Sequence, residues 1–388
     1  MSLAAEMLVP ATVEDDLGAE ARASTTFLRY ELQLGYETPV GAAHTGRLNL
    51  LHEALTHITR GQARRRLPFP HSPGFRGAVV QGERRGGAFL STGHNDTGTF
   101  VNVHGDGGSR GKPQPRAANR AGRSVLSTVT TNDHPTILAA RREMQSWRRL
   151  ALEPSSLRAP DDLNAPRHLA SDGRHLASSL YRIAHEPDEQ GRVEPDRVYA
   201  RVANRLADLS GVAVRSLDVE LDLKREVFTL YLDERGGLRL PARALSEGTL
   251  RFLVLCVMLE DSSLEGLICM EEPENGIHPA NLPSIMSLVQ DLSVDPSMSP
   301  DGDNPLRQVI VNTHSPGVVQ LCQEDDLLLA ESTPTSTPSG GRARALRLTP
   351  YRDTWRAGSG RSFTEVDVLP YLTSPVGAQM RLPIDLAG

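Results

Sequence analysis

Gly266-Leu267-Ile268-Cys269-Met270 runs directly into Glu271-Glu272-Pro273-Glu274-Asn275-Gly276-Ile277-His278-Pro279. A short apolar run bounded by turn residues reads as a buried parallel strand, and in open α/β sheets ligands sit just beyond the carboxyl ends of such strands. Glu271 and Glu272 stand at that end. Two adjacent carboxylates there can divide labour. One orients toward the hydration shell of a divalent cation, the other toward a water attacking a phosphoryl group. An exposed Glu-Glu pair at a strand end is also common, so the pair alone leaves both readings open.

Upstream lies Leu245-Ser246-Glu247-Gly248-Thr249-Leu250-Arg251, opening a long apolar helix. Ser246 is a strong N-cap residue, and Gly248 leaves the backbone open to close approach. A helix N-terminus with bare N–H groups attracts anions such as a phosphate, although an ordinary N-cap gives the same pattern. Downstream, the strand Gln308-Val309-Ile310-Val311-Asn312 ends in Thr313-His314-Ser315-Pro316. A histidine at that place can hydrogen-bond a terminal phosphate. Taken singly, it is more often an ordinary loop histidine.

Joint occurrence is far more specific. The order and spacing of the three segments resemble the ABC-type ATPase heads of the SMC, RecF and OLD-like group, and most closely the small bacterial AAA-type ATPases that carry EEPENGIHP and THSP. The resemblance is sharp from about Arg243 to Glu331 and extends more loosely upstream through the Pro135–Leu150 and Leu180–Leu232 segments. It implies an α/β P-loop NTPase of ABC/SMC-head type, with a mostly parallel sheet and flanking helices, an antiparallel β lobe and a helical insertion. It also implies ATP and Mg²⁺ as cofactors. On this resemblance Leu245–Arg251 is the signature motif, with Ser246, Gly248 and Arg251 on the nucleotide. Glu271 is the metal-side acid, where the family usually has aspartate. Glu272 is the base that polarises the attacking water, Asn275 opens the D-loop, and His314 is the switch histidine. Such heads sandwich two ATP molecules between two protomers, which implies an ATP-dependent homodimer or a pairing with a related ATPase chain.

One part of the family pattern has no counterpart in the sequence. A head of this type begins with a strand and GxxxxGK[ST], whose amides and lysine hold the phosphates. The only lysines are Lys112 and Lys224. Lys224 has no glycine beside it. Gly105-Asp106-Gly107-Gly108-Ser109-Arg110-Gly111-Lys112 has the wrong spacing, and Pro113 stands where Ser or Thr would bind Mg²⁺. On the resemblance, Met1 falls inside the first lobe, just after the place of that loop. The expectation is an ATPase whose loop lies upstream. The alternative is an interaction module that supplies its signature motif in trans to a complete ATPase.

The remaining sequence sets the frame. At 388 residues with a net charge of −6, the chain can bury a sizeable core and is not built to coat nucleic acid by bulk charge. DNA is nonetheless a possible partner on the resemblance, and Arg141, Arg142, Arg148 and Arg149 are read on one helix. Such a cluster is more often just a solvated helix face. Cys256, Cys269 and Cys322 sit in apolar runs without CxxC spacing and read as free thiols. No targeting segment or membrane span is legible, and a soluble cytoplasmic protein is expected.

Four segments are expected: a β-rich remnant of the N-terminal lobe over 1–131, a helical subdomain over 132–210, the motif-bearing core over 211–331, and a peripheral segment over 332–388. Within them, 24–34 alternates as a strand, and Gly77–Val80 and Gly98–Val103 read as short strands. A partly mobile loop is expected around 105–119. Helices are expected over Pro135–Leu150, near His175–Ile183 and over Val198–Leu209. Leu217–Leu223 and Val227–Leu232 form a meander turning at Gly236-Gly237. Asp218, Glu220 and Asp222 share one face there, read as solvated rather than metal-binding. No constellation for a fused nuclease follows the third motif.

Overall fold

The computed structural model describes residues 1–37, 46–82, 84, 86–96, 98–107, 112–118, 121–188, 190–336, 341–358 and 360–373. The chain divides into two compact units whose segments interleave. The first comprises Met1–Arg148, Ser262–Leu267 and Val294–Gln308, the second Arg149–Asp261, Ile268–Ser293 and Val309–Gly388.

In the first unit, β1 (Ser2–Leu8), β2 (Thr12–Glu14), β3 (Glu20–Arg22), β4 (Phe27–Glu37) and β5 (Arg47–His57) are followed by helices α1 (Arg60–Arg66) and α2 (Pro73–Val79). Then come β6 (Leu90–Asn95), β7 (Gly98–Val103), β8 (Gln114–Ala117) and helix α3 (Pro135–Ser146). Six strands form one sheet in the order β1-β4-β5-β6-β7-β8, every neighbouring pair antiparallel. Alternation in β4 sends Leu28 and Tyr30 into one core, completed by Leu55, Leu90, Val101, Ile137 and Leu138, while Phe27 on the opposite face packs with Ile58, Phe75 and Val79. Gly77–Val79 is helical, not a strand. Ser72 caps α2 by accepting from the Phe75 amide (2.9 Å), and Pro73 is preset for the first turn, so local capping outweighs the β-preference of two valines. Part of the expected 105–119 loop (108–111 and 119) lies outside the described residues.

The second unit continues with β9 (Arg148–Leu150), α4 (Pro154–Arg158), β10 (Asp161–Asp162), α5 (Leu176–His185), α6 (Pro195–Ser210), β11 (Val214–Asp222), β12 (Val227–Glu234) and β13 (Arg239–Pro241). After these come α7 (Glu247–Glu260), β14 (Gly266–Glu271), α8 (Leu282–Leu292), β15 (Arg307–Asn312), α9 (Pro316–Leu321), the hairpin β16 (Leu328–Ser336) with β17 (Arg342–Pro350), and α10 (Glu365–Thr373). The meander appears as read, β11 pairing antiparallel with β12, and β12 with β13. Arg239 bridges its acidic face, reaching Asp218 at 3.0 Å and Asp233 at 3.2 Å.

Helix α7 is the centre of this unit. Leu250 through Met258 are all buried, which is the signature of a helix enclosed on every side, and α4, α5, α6 and α8 pack around it. Cys256 lies within that run, and burial pushes its thiol up to about 12, so it behaves as a small core hydrophobe. The strands β15, β14 and β9 form a three-stranded sheet in that order. Gly266 N donates to Leu306 O and Glu272 N to Asn312 O, a constant offset that makes β14 and β15 parallel.

The 135–150 segment differs from its reading. Helix α3 stops at Ser146, Trp147 turns extended, and Arg148–Leu150 joins the sheet as β9. Strand pairing with β14 wins over local helical spacing. Arg148 and Arg149 therefore do not extend the face of Arg141 and Arg142, and Arg141 and Arg142 both bind Asp16, at 3.2 and 2.9 Å. Among the described residues, no helix is long and apolar enough to cross a membrane.

Candidate functional site

The site is built at three element ends in the second unit. Ser246 caps α7 as the sequence indicates, its hydroxyl accepting from the Thr249 amide at 3.1 Å. The first-turn amides before Thr249 have no acceptor within the helix itself, and the helix dipole adds positive potential there. Gly248 and Gly276 explain one another. A side chain at Gly248 would come within 3.2 Å of the Gly276 carbonyl. Gly276 has φ +74°, and a Cβ there would stand 2.8 Å from the Glu247 carboxyl carbon. The turn after β14 thus lies against the start of α7 at a distance only glycine allows.

That turn carries the acids. Glu272 has φ +41°, a left-handed backbone rare for a residue with a side chain and costing about 1–3 kcal/mol where the surroundings impose it. Three hydrogen bonds impose it here. Glu272 N donates to Asn312 O (2.8 Å), Asn275 N to Glu272 O (3.0 Å), and Asn275 Nδ2 to Glu272 Oε2 (2.6 Å). Asn275 therefore holds the carboxylate of Glu272 directly.

Glu271 is differently placed. It is half-exposed, and Arg149 donates to its Oε1 through both Nε (2.9 Å) and Nη2 (2.7 Å). Arg251 is only 6% exposed. It donates to Glu247 (2.9 Å) and to the Leu152 carbonyl (3.3 Å), and it lines a small recess with Leu150, Leu255, Met270 and Glu271. The Arg251 guanidinium is thus occupied by groups of its own unit. His314 is exposed, in the loop that follows β15.

The structure brings Ser246, Gly248, Glu272, Asn275 and the His314 loop into one network of contacts, while Glu271 pairs with Arg149 and Arg251 faces inward. Three participants escaped the sequence reading. Arg149 was read on a helix, although the alternating Leu150 and Leu152 carried a strand signal. Glu274 and Thr313 lay within the quoted motifs without a role. Glu274 is buried and accepts a hydrogen bond from the Thr313 hydroxyl, and nothing in local spacing forecasts that pairing.

The donors and acceptors fit the phosphate end of a nucleotide. The α7 N-terminus suits an anion, Glu272 is a held acceptor for a water, and His314 is a free-standing donor. Among the described residues, no group of three or more His, Cys, Asp or Glu could cage a metal. Mg²⁺ in such sites draws most ligands from phosphate and water, needing one or two carboxylates, so the Glu271-Glu272 pair is compatible with it.

Residues 53–320 match the family described as "AAA domain, putative AbiEii toxin, Type IV TA system", and the chain belongs to it. Its fold is mixed α/β, and the family match makes it an AAA-type ATPase domain. Among solved structures it is similar to an Smc head domain with coiled coil from Pyrococcus yayanosii, at 12% identity and TM-score 0.27, covering 40% of this chain and 26% of that one. An Smc head from Pyrococcus furiosus bound to the C-terminal domain of ScpA gives 11%, 0.26, 39% and 34%. The SMC head domain from Thermotoga maritima gives 10%, 0.26, 82% and 97%. The chain thus spans about a quarter to a third of the two Pyrococcus chains. No curated protein matches.

Proposed function

We propose that this chain binds and hydrolyses ATP as a head that dimerises around the nucleotide. The observation that carries the reading is the convergence of the α7 N-terminus, the Asn275-held carboxylate of Glu272 and the His314 loop at the carboxyl ends of parallel β14 and β15. Bound ATP would supply the phosphoryl group, and Mg²⁺ would neutralise its charge. In this reading Glu272 accepts a proton from the attacking water, its orientation held by Asn275. His314 donates to a terminal phosphate oxygen. Ser246, Gly248 and the first amides of α7 face the nucleotide of a second copy. Glu271 takes the cation side once Arg149 releases it.

The test is Mg²⁺-dependent phosphate release by the purified chain, alone and extended by any in-frame upstream segment, with light scattering of Glu272→Gln in ATP. ATP-dependent dimers and activity lost in the variant support the reading. Absence of both in every form sinks it. DNA enters as a candidate effector, tested by adding duplex DNA to the same assay, with repair or phage defence as the work it would serve.

The absence of GxxxxGK[ST] from the sequence favours a second reading, in which the chain supplies Ser246–Arg251 in trans to a complete ATPase. Its mark is a stable complex whose ATPase is killed by Ser246→Arg in this chain.

A further inference from the structure

We propose that Glu274 is a positioning residue for His314, acting through the Thr313 hydroxyl to fix the loop that presents the imidazole. The role rests on the proposed function, in which His314 meets a phosphate, but the linkage itself is a property of the chain without nucleotide.

Glu274 is 8% exposed and sits in the turn after β14. The Thr313 Oγ1 accepts from the Ser315 amide at 3.0 Å. A hydroxyl has one proton, and this one is directed to Glu274 Oε1. The result is a polarised relay from Ser315 N–H through Thr313 O–H to a carboxylate, spanning the residues on either side of His314. The same turn grips the preceding residue, because Glu272 N donates to Asn312 O at 2.8 Å. The loop is thus tied to the turn at Asn312 and at Thr313, and Thr313 in turn holds Ser315. The turn that holds the Glu272 carboxylate also sets the imidazole.

Stability does not account for this carboxylate. Its Oε2 is buried and has no partner among the described residues. A half-satisfied buried acid costs stability that an apolar residue of similar size would avoid. What Glu274 gives in return is direction: it fixes which way the Thr313 proton points, and with it the loop.

The experiment uses the full chain labelled with ¹³Cε1-histidine, the His314 signal being assigned by its loss in His314→Gln. Thr313→Val keeps shape and removes the hydroxyl. Thr313→Ser keeps the relay. Glu274→Gln keeps an acceptor and removes the charge. The expected result is a displaced His314 signal in Thr313→Val and Glu274→Gln, and a wild-type position in Thr313→Ser, with the other histidine signals unmoved in all three. That last condition separates positioning from general loosening. A His314 signal at its wild-type position in both Thr313→Val and Glu274→Gln overturns the proposal. Adding ATP and Mg²⁺ to the wild-type chain separates the two readings. Displacement by the variants without any response to nucleotide, in the chain alone and in any upstream-extended form, supports the linkage and sinks the phosphate reading.

Discussion

Glu53 in the antiparallel unit and Glu274 in the motif-bearing unit are both buried carboxylates, yet their surroundings treat them in opposite ways. Glu53 is 0% exposed and fully partnered. Its Oε2 accepts from Val125 N (2.7 Å), and its Oε1 from Leu126 N (2.8 Å) and from the Tyr30 hydroxyl (3.1 Å). It fastens the chain that leads to α3 onto β5. Glu274 has one oxygen partnered by Thr313 and the other by nothing among the described residues. A saturated carboxylate stabilises a lobe, whereas a half-saturated one is tolerated where it orients something else. The contrast separates a scaffold from a site by hydrogen-bond accounting alone.

The largest effect that would sharpen this contrast is on turnover. Glu272→Gln is expected to lower phosphate release by about 10²–10⁴-fold in the assembly that hydrolyses ATP, the usual worth of a general base, with the unfolding midpoint unchanged. A large loss of stability instead would erase the distinction between site and scaffold.

Glu53→Ala should do the reverse. It strands two buried amides, each costing about 1–3 kcal/mol, so a loss of roughly 3 kcal/mol or more is expected in urea unfolding. A change under about 1 kcal/mol would break the scaffold side of the comparison.

Gly276→Ala tests the close approach to α7. The left-handed backbone costs a non-glycine residue about 1–2 kcal/mol, and the added Cβ also pushes on Glu247. Unfolding midpoints of this variant beside Gly237→Ala, where the φ is +85° with open space, isolate the contact from the backbone cost.

The pH dependence follows from Glu53. Burial raises its carboxyl above the ordinary range, against the pull of the Leu126 and Val125 amides and the Tyr30 hydroxyl. The folded chain therefore keeps a proton that the unfolded chain has released. The resulting contribution is complete below the unfolded carboxyl's pKa and is lost as pH rises through the folded one. In thermal melts the advantage of wild type over Glu53→Gln should narrow as pH rises from the ordinary carboxylate range toward neutrality. A widening gap would reverse the sign and refute the account.

Arg149→Ala should change least. Both partners of the Arg149–Glu271 pair are well exposed, 68% and 44%, and pairs of that kind contribute under about 1 kcal/mol. A near-silent effect on denaturation, with altered Mg²⁺ dependence of turnover, would mark Arg149 as belonging to the site.

Much of this molecule is legible in its residues. The alternation of 217–223, the apolar run after Ser246 and the strand-turn pattern at Gly266–Pro279 are local signals, carried by periodicity and capping. They placed β11, α7 and β14 within a few residues. The helical reading of 147–150 failed because a three-residue strand is stabilised by its neighbour and leaves almost no local trace. The strand reading of Gly77–Val80 failed because a serine cap and a proline preset the backbone before β-preference could act.

The sequence by itself determined the element types around the three motifs, the order of those motifs and the family, since these depend on spacing along the chain. Only the tertiary structure decided that Glu271 is held by Arg149, that Arg251 turns inward, that Gly248 faces Gly276, and that Glu274 reaches the loop of His314 through Thr313. Those pairings join residues separated by tens of positions or more. Their energies depend on burial and on directions that the fold alone creates, so no local pattern encodes them.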